Sequence, residues 1–192
     1  MVAGEQVSER EGKAVKEKKF LIVVDMQKDF IDGALGTPEA QAIVEAAAAR
    51  IRACREEGWA LIATLDTHGT DYMDTAEGKK LPVPHCIKDS EGWRLDPAIA
   101  GALGECVLVE KPTFGSVRLP EIVRGQAEGA QALRIELIGL CTDICVVSNA
   151  LLLKAHFPEA AIAVNAACCA GVTPEKHEAA LETMRSCQID VI

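Results

Sequence analysis

Residues 1–18, MVAGEQVSEREGKAVKEK, show no apolar rhythm; charged and small residues alternate. That patterning predicts a charged, flexible extension ahead of a folded domain spanning residues 19–192. The hydrophobic pattern then starts abruptly. FLIVVD, residues 20–25, is a continuous apolar run ending on an acid, as in a strand buried on both faces. WALIATLD (59–66) repeats it, and CVLVEK (106–111) and LRIELIGL (133–140) predict a third and a fourth strand. AAIAVNAA (160–167) adds a fifth and QIDVI (188–192) a short last one. Between them lie helical patterns. Residues 37–58 carry Thr37 as N-cap, Pro38 at the first helical position and Gly58 as the stop. Residues 142–157 and 173–186 follow, the latter capped by Thr173. Strand and helix in alternation predict an α/β domain with a mostly parallel sheet and helices on both faces. One stretch, from Gly69 to Gly92, has too many glycines and prolines for an element and is too long for a plain connection.

Composition and charge narrow the partners. A formal net charge of -9 argues against nucleic acid and against an anionic membrane surface. No apolar run reaches the roughly 18–20 residues of a membrane span. The charged start lacks the apolar centre of an export signal, which predicts a cytoplasmic protein. Eight cysteines in a chain of 192 residues therefore read as reduced thiols, some packed as small hydrophobes, with room for one reactive group.

In open α/β sheets ligands bind beyond the carboxyl ends of the strands, so the residues found there are candidates. The first strand ends at Asp25, the second at Asp66 and the third at Lys111; the fourth runs into GLCTDICV with Cys141 and Cys145. Cys145 falls in the first turn of the next helix, where unpaired N–H groups, with Lys111 as a cation, would lower a thiol pKa from about 8.5. Asp25 could then exchange a proton with it, and backbone N–H groups near Cys141 and Cys145 could hold an oxyanion. Packing is the competing role for Cys145, since Val146, Val147 and Leu151 surround it in sequence. Asp66 and His68 stand two apart in LDTHG, and His85 follows in VPHC. One carboxylate and two imidazoles suit a three-ligand Zn²⁺ or Fe²⁺ site with open positions. His156 and His177 sit on predicted helices, where solvated or packing roles are expected.

VVDMQKDFIDGAL, EKPTFGS and GLCTDICV together resemble the isochorismatase-like cysteine hydrolases, and among them the nicotinamidase-like branch, from about Phe20 to near the C-terminus. The resemblance implies a three-layer Rossmann-like fold and a catalytic set of Asp25 as acid/base, Lys111, and Cys145 as nucleophile. It further implies a cis Leu140–Cys141 bond, an oxyanion hole made by the N–H groups of Cys141 and Cys145, and Phe30 packing on the substrate ring. Asp66, His68 and His85 match the ligands of a divalent ion, Zn²⁺ first, with Fe²⁺ or Mn²⁺ as alternatives, which holds a pyridine nitrogen. The implied reaction is nicotinamide to nicotinate and ammonia through a thioester, in a homo-oligomer. Cys145 argues against vinyl-ether hydrolysis. One departure is the stretch Leu81-Pro82-Val83-Pro84-His85, where the family pattern W-P-x-H carries a tryptophan; Tyr72 is the nearest aromatic. Hydrolysis of another small amide or carbamoyl compound, and a catalytically silent metal- or partner-binding domain, are the other readings the residues leave open.

Overall fold

A computed structural model describes residues 16–192. The elements run β1 (Glu17–Val24), α1 (Lys28–Ile31), α2 (Pro38–Ala42), α3 (Val44–Glu56), β2 (Ala60–Asp66), α4 (Pro97–Leu103), β3 (Val107–Lys111), α5 (Leu119–Gln126), β4 (Ala132–Leu140), α6 (Val147–His156), β5 (Ala161–Ala170), α7 (Pro174–Ser186) and β6 (Asp190–Val191). The six strands form one sheet in the order β3-β2-β1-β4-β5-β6, and every neighbouring pair is parallel. The expected α/β class holds, with a sheet that is wholly rather than mostly parallel.

Alternation along β1 divides the apolar residues between two cores. Leu21 and Val23 pack with Ala47 and Ile51 of α3 and with Ile99 and Leu103 of α4. Phe20, Ile22 and Val24 face the other way, onto Val123 of α5, Leu153 of α6 and Met184 of α7. Each such side chain stabilises the fold by about 1.5–3 kcal/mol on leaving water, which is why β1 can be apolar throughout. The strand order reverses between β1 and β4, and a crevice opens beyond their carboxyl ends.

Several boundaries differ from the sequence expectation. β1 takes in Glu17 and Lys18, which the charge pattern assigns to the extension; both pair with the start of β4, at Ala132 and Leu133. A ladder is made by backbone groups, so exposed charged side chains do not exclude it. The rest of the expected extension, residues 1–15, lies outside the described residues. The helix expected over residues 37–58 is two, parted at Ile43 (φ -88°, ψ -11°), although Thr37 caps the first through Ala40 N (3.0 Å) and Gly58 ends the second at φ 76°. α4 and α5 are additional to the helices expected from the sequence. A local signal exists for α4: Asp96 Oδ1 accepts from Ala98 N at 2.8 Å, with Pro97 at the first helical position. β5 runs on to Ala170, past the expected residue 167.

One polar group is buried in the middle of the sheet. Glu136 of β4 is 3% exposed and is held by Arg50 of α3, Nε to Oε1 at 2.8 Å and Nη2 to Oε2 at 2.5 Å, with Asn165 Nδ2 at 3.2 Å. Removing only the cation leaves a carboxylate without its partner. Arg50→Met is expected to lower stability by about 3 kcal/mol in urea unfolding, and Arg50→Met/Glu136→Leu to recover much of it. Equal losses in both would assign the effect to Arg50 packing over Trp59 instead (5.2 Å to the ring centroid).

Candidate active site

Four strand ends converge because the strands are adjacent and in register: Ile62 pairs with both Ile22 and Val107, and Ile22 with Leu137. Asp25 follows β1 with φ 48°, a left-handed conformation that costs a non-glycine residue of order 1 kcal/mol and re-aims the carboxylate. Gly139, at φ 120° on β4, allows the close approach alongside: a Cβ there would lie 2.1 Å from Val24 O.

Lys111, at the end of β3, is the centre of the cluster. Its Nζ lies 2.6 Å from Asp25 Oδ2, 3.2 Å from Asp66 Oδ1 and 3.5 Å from Cys145 Sγ, and it is 1% exposed. Burial alone would lower this amine, yet the charges of Asp25, Cys145 and Asp66 hold it well above its ordinary value, so it is a fixed cation. Asp25 is fully buried, and burial raises its carboxyl above the usual range against the pull of Lys111. Thr64 Oγ1 donates to Asp25 Oδ1 at 2.6 Å, while Oδ2 makes its ion pair without an aligned hydrogen bond among the described residues. That oxygen is free to accept a proton.

Cys145 sits in a π-helical first turn, Thr142–Val146, continuous with α6; Val146 N reaches back to Cys141 O at 3.1 Å. The expectation of a lowered thiol pKa is reversed. Burial is the largest influence, the Asp25 charge adds to it, and together they push the thiol well above its ordinary value despite Lys111. The group rests protonated beside its proton acceptor. Cys141 precedes this turn through a cis Leu140–Cys141 peptide, and its N–H has no acceptor among the described residues. Its own thiol is pushed up to about 12, chiefly by burial, and is inert at neutral pH. All eight cysteines are free.

Asp66 Oδ2 faces the other way, 2.9 Å from His68 Nε2 and 3.5 Å from His85 Nε2. One donor atom from each of the three lies within 4.8 Å of the others, and all three residues are buried. Burial would raise the Asp66 carboxyl, but the two imidazoles and Lys111 outweigh it and hold it well below the carboxylate range. His85 Nδ1 donates to Val83 O at 2.8 Å, which leaves Nε2 as the lone-pair atom facing Asp66. Deprotonated carboxylate, imidazole nitrogen and a fixed tautomer fit a divalent ion such as Zn²⁺.

A cavity of about 290 Å³ joins these groups; Asp66, His85, Cys141 and Cys145 line it, with Phe30 and Phe114 among its apolar walls. Phe30 tilts against the His85 ring at 5.5 Å. A wider groove of about 670 Å³, around Arg124 and Phe157, lies at the opposite ends of β4 and β5, away from the converging groups.

All of Asp25, Phe30, Asp66, His68, His85, Lys111, Cys141 and Cys145 thus meet at one place. Residues outside that set complete it. Gln27 brackets the end of β2, its Oε1 accepting from Asp66 N (2.7 Å) and its Nε2 donating to Asp66 O (2.9 Å). Asn149 ties the π-helical turn of Cys145 to the 112–118 loop through Cys145 O (2.8 Å) and Ser116 N (2.9 Å). His177 is neither free in solvent nor only packed: its Nδ1 is 2.8 Å from Thr142 Oγ1 in that turn. His156, by contrast, is exposed as expected. Tyr72 is buried against the edges of His68 (4.8 Å) and His85 (5.0 Å), behind the imidazoles and not among the residues lining the cavity.

Comparison with known proteins agrees with this geometry. Residues 19–192 match the family model described as the isochorismatase domain. The chain is 33% identical over 154 residues to the nicotinamidase of Escherichia coli K12, covering 67% of this chain and 72% of that protein. The pyrazinamidase of Pyrococcus horikoshii, solved in complex with zinc, superimposes with a TM-score of 0.75 at 28% identity, over 91% of this chain and 98% of that one. The N-carbamoylsarcosine amidase of Thermoplasma acidophilum gives 0.71 at 27% identity, over 91% and 95%.

The donor set predicts one tight Zn²⁺ site. His68→Ala and His85→Ala should each weaken Zn²⁺ binding more than about 100-fold in competition with a chromophoric chelator, beyond what loss of an outer-shell partner does. Wild-type affinity in both variants would place the ion elsewhere.

Proposed function

The chain belongs to the isochorismatase family and is a hydrolase of amide C–N bonds, and from that premise we propose a metal-assisted cysteine amidohydrolase whose favoured substrate is nicotinamide. The observation that carries the reading is the buried Lys111 ammonium, in contact at once with an acid, a thiol and the carboxylate of a three-donor metal set.

In this reading the Cys145 thiol gives its proton to Asp25 Oδ2 as Sγ attacks the carboxamide carbon. The charge that develops on the carbonyl oxygen is accepted by the N–H groups of Cys141 and Cys145. Lys111 stays charged throughout and offsets the negative charge whether it sits on the carboxylate or on sulfur. Collapse breaks the C–N bond, and the proton on Asp25 leaves with the nitrogen as ammonia. A water molecule then loses a proton to Asp25 and attacks the thioester; the thiol is restored and nicotinate departs. Burial raises both groups, so the thiol rests protonated and the Asp25 carboxylate is a stronger base than one in water. A divalent ion held by Asp66, His68 and His85, Zn²⁺ first, would supply a Lewis-acid contact for the pyridine nitrogen. Phe30 would pack on the ring. A cytoplasmic homo-oligomer goes with this assignment.

A second reading keeps the same chemistry on another small amide or carbamoyl compound. It is favoured by one observation: Tyr72 stands behind the histidines, so the cavity lacks the aromatic wall that the W-P-x-H tryptophan gives the family pattern. The complete acid, cation and thiol set disfavours a silent domain. Ammonia release from nicotinamide, pyrazinamide and N-carbamoyl amino acids by Zn²⁺-loaded protein separates the readings; no release from the first two rules out the favoured substrate.

Two further outcomes are expected in that assay. Cys145→Ala should lose at least about 10⁴-fold in kcat, while Cys141→Ala, which keeps the backbone N–H, stays within about 10-fold. Thr64→Val removes a donor that stabilises ionised Asp25, so the carboxyl rises further. The base is then protonated at higher pH, and the acid limb of kcat moves upward; an unmoved limb would separate Asp25 from that limb.

A further inference from the structure

Resting on the reading that the Cys141 and Cys145 N–H groups receive the oxyanion, we propose that His177 is a positioning residue for that reaction. It holds the oxyanion-binding turn from the side away from substrate, through Thr142. The turn has two faces. Cys141, Ile144 and Cys145 line the cavity, whereas Thr142 and Asp143 do not and bond instead to the segment that joins β5 to α7. Thr142 is fully buried, and His177 Nδ1, at 2.8 Å, is the one hydrogen-bond partner of its hydroxyl among the described residues. Beside it, Asp143 Oδ1 accepts from Val172 N at 2.9 Å. Two consecutive residues of the turn are thus tied to residues 171–177.

The support is itself firmly held. Thr173 caps α7, its Oγ1 accepting from Lys176 N at 3.3 Å, and His177 N donates to Thr173 O at 3.0 Å. Ala180, Leu181 and Met184 then anchor the helix in the core. Gly171 lets the segment close on the turn: a Cβ there would lie 2.8 Å from His177 N and 2.9 Å from Asp143 Oδ1.

Within the turn, Ile144 N and Val146 N both donate to Cys141 O, at 3.0 and 3.1 Å, which orients the peptide between Cys141 and Thr142. The Thr142 hydroxyl is the next fixed point along the chain, and His177 supplies its anchor. A misplacement of about 1 Å at a reacting centre can cost about 100-fold in rate. His177 is not among the residues lining the cavity, so it acts on the rate only through the turn.

The test compares wild type with His177→Leu, His177→Asn, Thr142→Val and the His177→Leu/Thr142→Val double variant. The asparagine amide reaches the place of Nδ1 and can donate or accept; leucine fills the space without a polar atom. On whichever amide wild type hydrolyses, kcat should fall about 10- to 100-fold in His177→Leu with KM within about 3-fold, and His177→Asn should recover most of the loss. The double variant should lose no more than the worse single one, because both side chains act through one bond. Alkylation of Cys145 by iodoacetamide builds no oxyanion and should stay within about 3-fold of wild type. Wild-type kcat in His177→Leu, a loss confined to KM, additive losses, or alkylation that falls in step with kcat overturns the proposal. Amide hydrogen exchange at Ile144 and Val146 needs no substrate: faster exchange in His177→Leu, restored in His177→Asn, supports the proposal, and unchanged exchange overturns it. If wild type hydrolyses no amide, the functional reading has failed, and the exchange rates still decide whether His177 holds the turn.

Discussion

A lysine buried at the end of a parallel strand is the constraint on which the site depends. Taking an ammonium group out of water costs several kcal/mol unless anions meet it, and Lys111, on the edge strand β3, is met by Asp66 from the adjacent β2 and by Asp25 from β1 beyond it. Each carboxylate is in turn stabilised at its depth by that cation, Asp66 together with the two imidazoles and Asp25 with the Thr64 hydroxyl. The ion cluster therefore fixes how β1, β2 and β3 end relative to one another. Cys145 is added from β4, across the reversal in strand order, and is the one member of the group without a formal charge at rest.

This arrangement explains why the thiol need not be acidic. A low thiol pKa stabilises the thiolate but also weakens it as a nucleophile. In the proposed mechanism burial lifts both groups, so a more basic Asp25 meets a sulfur that is more nucleophilic once its proton has moved. The cation moves neither with the proton nor with the substrate. It offsets negative charge in either arrangement, a form of preorganised electrostatic stabilisation.

Much of this was legible in the sequence, for a physical reason. A strand buried on both faces must be apolar, so an acid or lysine at its end is conspicuous, and Asp25, Asp66 and Lys111 were visible as punctuation. Cys145 stood out through its place just past a strand. Loop histidines in a chain with only four were equally visible. The pKa of Cys145 was not legible, because helix position and a nearby cation can be read from spacing while burial cannot. Nor were Gln27, Thr64, Asn149 and His177, whose roles are hydrogen bonds across 33 to 39 residues or within a turn. Side-chain amides and hydroxyls are common, and nothing in their local pattern says which backbone group they will meet. Glu77, in a polar loop, reads in sequence as any solvated acid, yet its Oε1 lies 3.9 Å from His68 Nε2 and 3.8 Å from His85 Nε2.

Asp66 has one oxygen on each side of a boundary: Oδ1 toward Lys111 and the thiol, Oδ2 toward the imidazoles. The two halves of the site therefore share a single residue and cannot vary independently. A change that shifts the end of β2 perturbs both, and a variant at Asp66 is uninterpretable as evidence about either one. His68 touches only the metal side, and Thr64 only the acid, so each reports on its own half. The shared carboxylate is thus a hinge pin: the imidazole pair and the lysine are held in fixed relation through one side chain.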